Sequence, residues 1–266
     1  MSASIEQPVS DIVFIGAGRL ATQLALALHA TGSHRITAVY SRTMTSAKTL
    51  ADMVGAVATN DIASLPQQAD AMILAVKDDA LPTLAGQIAA GHKDIPAFHT
   101  AGSVPATVLR GFDHYGVIYP MQTFSKERHV DFARIPFFIE GNDNAALSVA
   151  RAIASAVSKH VTVMDSDRRR QLHLAAVFAC NFANHCYTLA SDILERADMP
   201  FDILLPLIEE TVAKVADMHP KEAQTGPAVR YDKSVIERQS QMLADNPLTQ
   251  QIYELMSQSI HNHCVE

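Results

Sequence analysis

The chain has 266 residues, of which 48% are hydrophobic and 18% charged, and a formal net charge of −7. That balance describes a globular protein of one large or two modest domains with a substantial core. It excludes intrinsic disorder, and an acidic chain without a basic block excludes the usual nucleic-acid binder.

Smaller signals narrow the class further. Cys180, Cys186 and Cys264 have no metal-ligand spacing, and the first two read as buried free thiols in an apolar helical stretch. The opening MSASIEQPVSD lacks the cationic start and apolar run of a secretory signal. No apolar run reaches the ~18 residues a membrane span needs, so a soluble, cytoplasmic chain without membrane or nucleic-acid partners is expected.

In chain order, Asp11–Ile15 reads as a buried strand and Leu20–Ala30 as a helix, with Gly32 just beyond its end. Arg35–Tyr40 is a second strand, and Thr45–Val54 a second helix closed by Gly55. Ala71–Val76, Ile95–Thr100, Tyr115–Tyr119, Pro136–Glu140 and Val161–Met164 are further strands, with a helix over Ala80–Ala90. Strands alternating with helices predict a mostly parallel sheet covered on both faces. From Ser166 onward only helical periodicity remains. Asp167 is placed to cap a helix running to about Ala197, with Arg168–Arg170 as its solvated first turn. Further helices are expected from Pro200 to Met218, over 232–244 and over 247–262, with a break between His219 and Pro227. Met- and Phe-rich stretches read as core. The expected fold is α/β: a doubly wound domain over 1–165, then an all-helical domain over 166–266.

Gly16-Ala17-Gly18-Arg19-Leu20-Ala21 follows the first strand and opens the first helix, in the pattern GxGxxA. Gly16 permits a tight turn, Gly18 lets backbone approach a pyrophosphate, and Ala21 allows close helix–strand contact. The helix end adds amide donors and a positive dipole, so a dinucleotide-binding Rossmann domain is expected. A site for NAD would place a carboxylate at the end of the second strand, to hold the ribose 2′-hydroxyl. Here that end reads Ser41-Arg42-Thr43, a guanidinium between two hydroxyls, which suits a 2′-phosphate and hence NADP(H). Arg19 adds a second cation. The third strand ends Ala75-Val76-Lys77-Asp78-Asp79. Ala75, Val76 and Lys77 are expected along the cofactor, while Asp79 suits a helix cap.

AVKDDAL (75–81), HTAGSVPATVL (99–109) and YPMQTFSK (119–126) resemble the Rossmann-like proteins that carry a DUF2520 carboxyl-terminal domain, as do LHLAAVFACNFANH (172–185) and QTGPAVRYD (224–232). The resemblance covers nearly the whole chain. It implies an NADP oxidoreductase akin in architecture to pyrroline-5-carboxylate reductase and the 6-phosphogluconate dehydrogenase-like enzymes. It also implies a helical domain that dimerises.

Three groups are candidates for the chemistry. His99 and Ser103 sit in a glycine-containing loop at the crevice edge, where an imidazole and a hydroxyl can reach a substrate; Ser103 equally suits a cap for the helix after Pro105. His173, Asn181 and His185 lie eight and four residues apart along one helix; buried polar residues at an interface are the alternative. Related reductase folds place a lysine one turn before such an asparagine, whereas Val177 stands there in this chain. Thr225, Gly226 and Arg230 can offer amides and a guanidinium fork to an anion, and they equally form an ordinary inter-helix loop. Tyr119, Gln122 and Thr123 are weaker cleft candidates. These residues predict an NADP(H)-dependent oxidoreductase for a small, anionic carbonyl or imine substrate, acting as a homodimer through the helical domain. The competing reading is a non-catalytic NADP(H)-binding sensor or scaffold. A deazaflavin-linked reductase is a third, with no residue here that identifies a deazaflavin site.

Overall fold

A computed structural model describes residues 10–125, 128 and 130–265. Strand β1 (Ser10–Ile15) lies inside an eight-stranded sheet of order β3-β2-β1-β4-β5-β6-β7-β8. β2 (His34–Tyr40) and β4 (Ala71–Leu74) flank it, with β3 (Val57–Thr59) beyond β2 and β5 (Ala97–His99) and β6 (Tyr115–Pro120) beyond β4. These strands are all parallel. β7 (Pro136–Gly141) runs antiparallel to β6, and β8 (His160–Val163) is parallel to β7. The chain winds outward from β1 to β3, then returns to β4 on the other side. That reversal opens a crevice at the carboxyl ends of β1 and β4, where doubly wound sheets bind ligands.

Side-chain alternation divides β1 between two cores. Ile12 and Phe14 face helices α1 (Arg19–Ala30), α2 (Met44–Val54) and α4 (Asn144–Val157). Val13 and Ile15 face α3 (Leu81–His92) and Leu109. A strand buried on both faces must be apolar throughout, which is why DIVFI does not alternate. Burying each such side chain contributes about 1.5–3 kcal/mol.

Three elements extend the expected set, the short helix over Pro220–Ala223, where a break was expected, and two in the sheet region. β3 is a three-residue edge strand, and α4 is capped by Asp143, which accepts from the Ala146 amide at 2.8 Å. Ala146, Ala150, Ile153 and Ala154 give α4 a buried stripe at helical spacing. The strands expected to reach Val76 and Thr100 end at Leu74 and His99.

Beyond β8 the chain is helical: α5 (Ser166–Ala176), a π-helical stretch (Val177–Phe182), α6 (Ala183–Glu195), α7 (Leu205–Asp217), α8 (Pro220–Ala223), α9 (Lys233–Gln241) and α10 (Pro247–Val265). The chain forms two compact units that divide between Cys180 and Asn181. Among the described residues no helix is long and apolar enough to cross a membrane.

Several local expectations are corrected. Asp165, not Asp167, caps α5, accepting from the Arg168 amide at 2.8 Å. Asp79 caps nothing, because α3 starts after Ala80 without a side-chain cap. Arg168–Arg170 is not a solvated run, since Arg169 is 0% exposed. Cys180 and Cys186 are exposed rather than buried, as are Phe178, Phe182, Met199, Met218, Met242 and Met256.

Candidate active site

Gly16 takes φ +115°, and a β-carbon there would collide with the Ala75 carbonyl oxygen. The turn after β1 thus lies directly on the end of β4, a contact only glycine allows. Gly18 caps α1 with extended backbone and no side-chain cap, and α1 has no acidic residue in its first turn. A β-carbon on Gly18 would meet nothing within 4 Å. Uncapped amides, a positive helix end and open space above Gly18 fit a pyrophosphate. Arg19 is exposed, while Ala17 and Leu20 pack partly buried beside the core.

At the end of β2, Arg42 and Thr43 are exposed and Ser41 is half-buried. Thr43 precedes α2 without capping it, and its hydroxyl donates to Ser46 Oγ at 2.8 Å. Among the described residues the Arg42 guanidinium has no acidic partner within ion-pair distance, so it is open to an external anion. These residues fit a 2′-phosphate.

Register carries the site from the cradle along the sheet. Ile15 pairs with Leu74, Leu74 with His99 and His99 with Val117, so the ends of β1, β4 and β5 lie side by side. After β4, Ala75 and Val76 are half-buried and Lys77 is exposed. Asp78 then accepts a hydrogen bond from Ser103 Oγ, which joins the loops after β4 and β5. Ser103 therefore does not cap the following 3₁₀ turn. Ser166 Oγ does, accepting from the Ala106 amide at 2.9 Å.

His99, expected to reach the substrate, is instead 0% exposed. Its Nδ1 accepts from the Ala101 amide at 3.2 Å, leaving Nε2–H to donate to the Pro105 carbonyl at 3.4 Å. Burial, and then the charge of Arg169, lower its pKa to about 3. A neutral ring with both nitrogens committed to the backbone shapes the loop from within.

Under the same loop lies a buried ion pair that the sequence did not suggest. Arg169 donates to Glu140 Oε2, to the Val104 carbonyl at 2.6 Å and to Ser166 Oγ at 3.1 Å. Ser166 also donates to Glu140 at 2.7 Å. The Arg169 side chain is 0% exposed and that of Glu140 21%, so the pair sits in low dielectric. Through Val104 and Ala106, helix α5 grips the loop that carries Ser103.

One turn further along α5, His173 meets Tyr119 at the end of β6. The Tyr119 hydroxyl lies 3.0 Å from His173 Nδ1, with the rings edge to face at 5.9 Å between centroids. A β-carbon on Gly102 would lie 2.5 Å from His173 Nδ1 and 3.0 Å from Tyr119 Cζ. Gly102 thus lets the loop backbone close over this pair. Burial raises the Tyr119 pKa, partly offset by the Arg169 charge, so the phenol stays protonated at neutral pH.

The remaining candidates belong to the second unit. Asn181, His185, Thr225 and Arg230 are exposed, and Gly226 takes φ +109°. The α-helical spacing used to relate His173, Asn181 and His185 is interrupted by the π-helical stretch, whose turns hold an extra residue.

Residues 11–95 match the family model of NADP oxidoreductases described as coenzyme F420-dependent, and residues 135–260 match a domain of unknown function, DUF2520. The crystal structure of "putative NADP oxidoreductase BF3122 from Bacteroides fragilis" is 51% identical, covering 96% of this chain and 98% of that one, with a TM-score of 0.91. The chain belongs to this NADP oxidoreductase family. NADP(H) is its cofactor, in agreement with the Gly16–Gly18 cradle and Arg42. An imine reductase from Myxococcus stipitatus in complex with NADP+ shares the fold at 17% identity and TM-score 0.70, covering 95% of this chain and 93% of that one. A pyrroline-5-carboxylate reductase from Coxiella burnetii does so at 16% and 0.57, with 96% and 97% covered. No curated protein matches the chain.

Proposed function

We propose that this NADP oxidoreductase reduces a small, anionic carbonyl or imine compound in the cytoplasm, working as a homodimer through its helical unit. The observation that carries the reading is the Ser103–Asp78 hydrogen bond, beside the strand end on which Gly16 rests. It supplies a hydroxyl and a carboxylate at the mouth of a crevice whose other wall is a dinucleotide cradle. Reduced NADP supplies a hydride when bound there. Asp78 fixes the rotor by accepting the Ser103 proton, so Ser103 Oγ then accepts from a substrate N–H or O–H, such as that of a protonated imine. His99 and Arg169 hold the loop still from beneath, which limits reorganisation during reaction. Asn181, His185, Thr225 and Gly226 are assigned to substrate contact, and the exposed Arg230 to the anionic group.

Absorbance at 340 nm tests the reading. Stopped-flow mixing of the NADPH-bound protein with carbonyl and imine acids is expected to show oxidation, and Ser103→Ala to slow it without weakening NADPH binding. A protein that binds NADPH yet oxidises it with none of these compounds is a sensor or scaffold instead. Arg42→Ala is expected to weaken NADPH binding by about 1.5–3 kcal/mol while leaving NADH unaffected. Equal losses for both would show that Arg42 does not read the 2′-phosphate. Arg230→Ala is expected to raise KM for acids only; unchanged kinetics would remove the anionic assignment.

A further inference from the structure

Tyr119 and His173 come from different elements, β6 and α5, and meet inside one unit beneath the loop that carries Ser103. Tyr119 is 8% exposed, whereas His173 is half-buried. The phenol is thus the enclosed partner, and the imidazole is the one that reaches toward solvent. A tyrosine hydroxyl has a property that most partners of a histidine lack. It donates to Nδ1 when the ring is neutral and accepts from Nδ1–H when the ring is charged. A backbone carbonyl or amide satisfies only one of those states, as the backbone partners of His99 illustrate. An imidazole that must gain and lose a proton in every cycle needs a partner that serves both.

The surroundings are arranged around this pair. Gly102 closes over the hydrogen bond with no room for a β-carbon, so ring and loop hold one another in place. Arg169, on the same helix as His173 and bridged to Glu140 of β7, and Cys180 beyond the end of α5 act electrostatically on Tyr119.

We propose that His173 is the proton donor of the reductive site and that Tyr119 is its positioning partner. This rests on the reductase reading given above. With His173 charged, Nδ1–H points to the Tyr119 oxygen and Nε2–H to the substrate heteroatom. As the carbonyl or imine carbon takes a hydride from reduced NADP, its π pair becomes the lone pair that accepts the Nε2 proton. The Nε2–H bond breaks and an O–H or N–H bond forms. NADPH is oxidised and the substrate reduced by two electrons, and His173 is left neutral until water reprotonates Nε2.

The test uses the full chain, with glyoxylate, pyruvate and 2-methyl-1-pyrroline as probes. His173→Gln is expected to lower kcat about 100-fold or more, with KM and NADPH affinity moving less than about twofold. Tyr119→Phe is expected to lower kcat about tenfold, the loss of one positioning hydrogen bond. His173→Asn serves as a second variant should the glutamine protein not fold. Independently of turnover, the ¹⁵N resonances of His173 in the NADP+-bound protein are expected to shift in Tyr119→Phe. His173 resonances indifferent to Tyr119→Phe, or a His173→Gln protein that keeps wild-type kcat on a reduced probe, overturn this assignment alone. A wild-type protein that binds NADPH but reduces no probe overturns the reductase reading, and the assignment with it.

Discussion

In the sheet unit, Ile12, Val13, Phe14 and Ile15 are each 0% exposed, and helices close over both faces. In the helical unit, Leu207 is 64% exposed, Leu248 68% and Leu255 66%, while only Leu194, Ala228 and Leu243 are buried apolar side chains among its described residues. The two regions hold similar shares of leucine and isoleucine and use them to different ends. The first spends its apolar surface on its own core, so its stability is contained in one chain. The second leaves apolar side chains exposed along its helices, as the homodimer proposed above requires. The polar residues follow the same division. Arg169 and His99 of the sheet unit are enclosed and paired, whereas Asn181, His185 and Arg230 of the helical unit are exposed.

The largest expected effect probes enclosure. Arg169→Ala leaves Glu140 without its cation and should destabilise the protein by about 3–5 kcal/mol in urea melts followed by circular dichroism. A loss below about 1 kcal/mol would mean that the ion pair does not stabilise the fold. Next comes the helical unit. Leu207→Asp should lower dimer affinity by about 2 kcal/mol or more if Leu207 lies at the centre of a homodimer interface. Light scattering over a concentration series measures it, and a wild type that is monomeric throughout breaks the comparison. A third effect is acid sensitivity. An unfolded chain protonates His99 near pH 6.5, whereas the folded ring stays neutral to about 3. The unfolded state therefore binds the extra proton between those values. The contribution of His99 is complete above pH 6.5 and falls by about 1.4 kcal/mol per pH unit below it. His99→Gln should flatten that slope between pH 6.5 and 4.5, and an unchanged slope would place its origin elsewhere. The smallest effects are those of Arg168→Ala and Arg170→Ala, each within about 0.5 kcal/mol, in contrast to the arginine between them.

The sheet and cradle were legible because their signals are local. DIVFI must be apolar to lie between two helical layers, and Gly16 must be glycine to lie on Ala75. The stripe of α4 was equally present at Ala146, Ala150, Ile153 and Ala154, but small side chains give it little contrast with their neighbours. β3 is too short for its three residues to show alternation. The ion pair under the loop could not be read in advance. Arg169 and Glu140 are 29 positions apart, and an RRR run looks the same whether or not its middle member is buried. His99 was misread for a related reason. Sequence places it at a strand end but does not show that the loop folds back to take up both ring nitrogens. The π-helical stretch also had no local marker, and it altered the angular relation between His173 and the residues that follow it.

The antiparallel turn of β7 has one further consequence. It sets Glu140 opposite Val117, level with His99, while Tyr119 lies two residues nearer the strand end. Helix α5 is thus pinned at Arg169 and delivers His173 about one turn, roughly 5–6 Å, further along. The spacing works as a ruler fixed at one end. Substitutions at Arg170, Gln171 or Leu172 leave the ruler intact, whereas inserting or deleting one residue among them would turn His173 by about 100° away from Tyr119. In natural relatives that keep this chemistry, this short interval should tolerate changes of letter and reject changes of length.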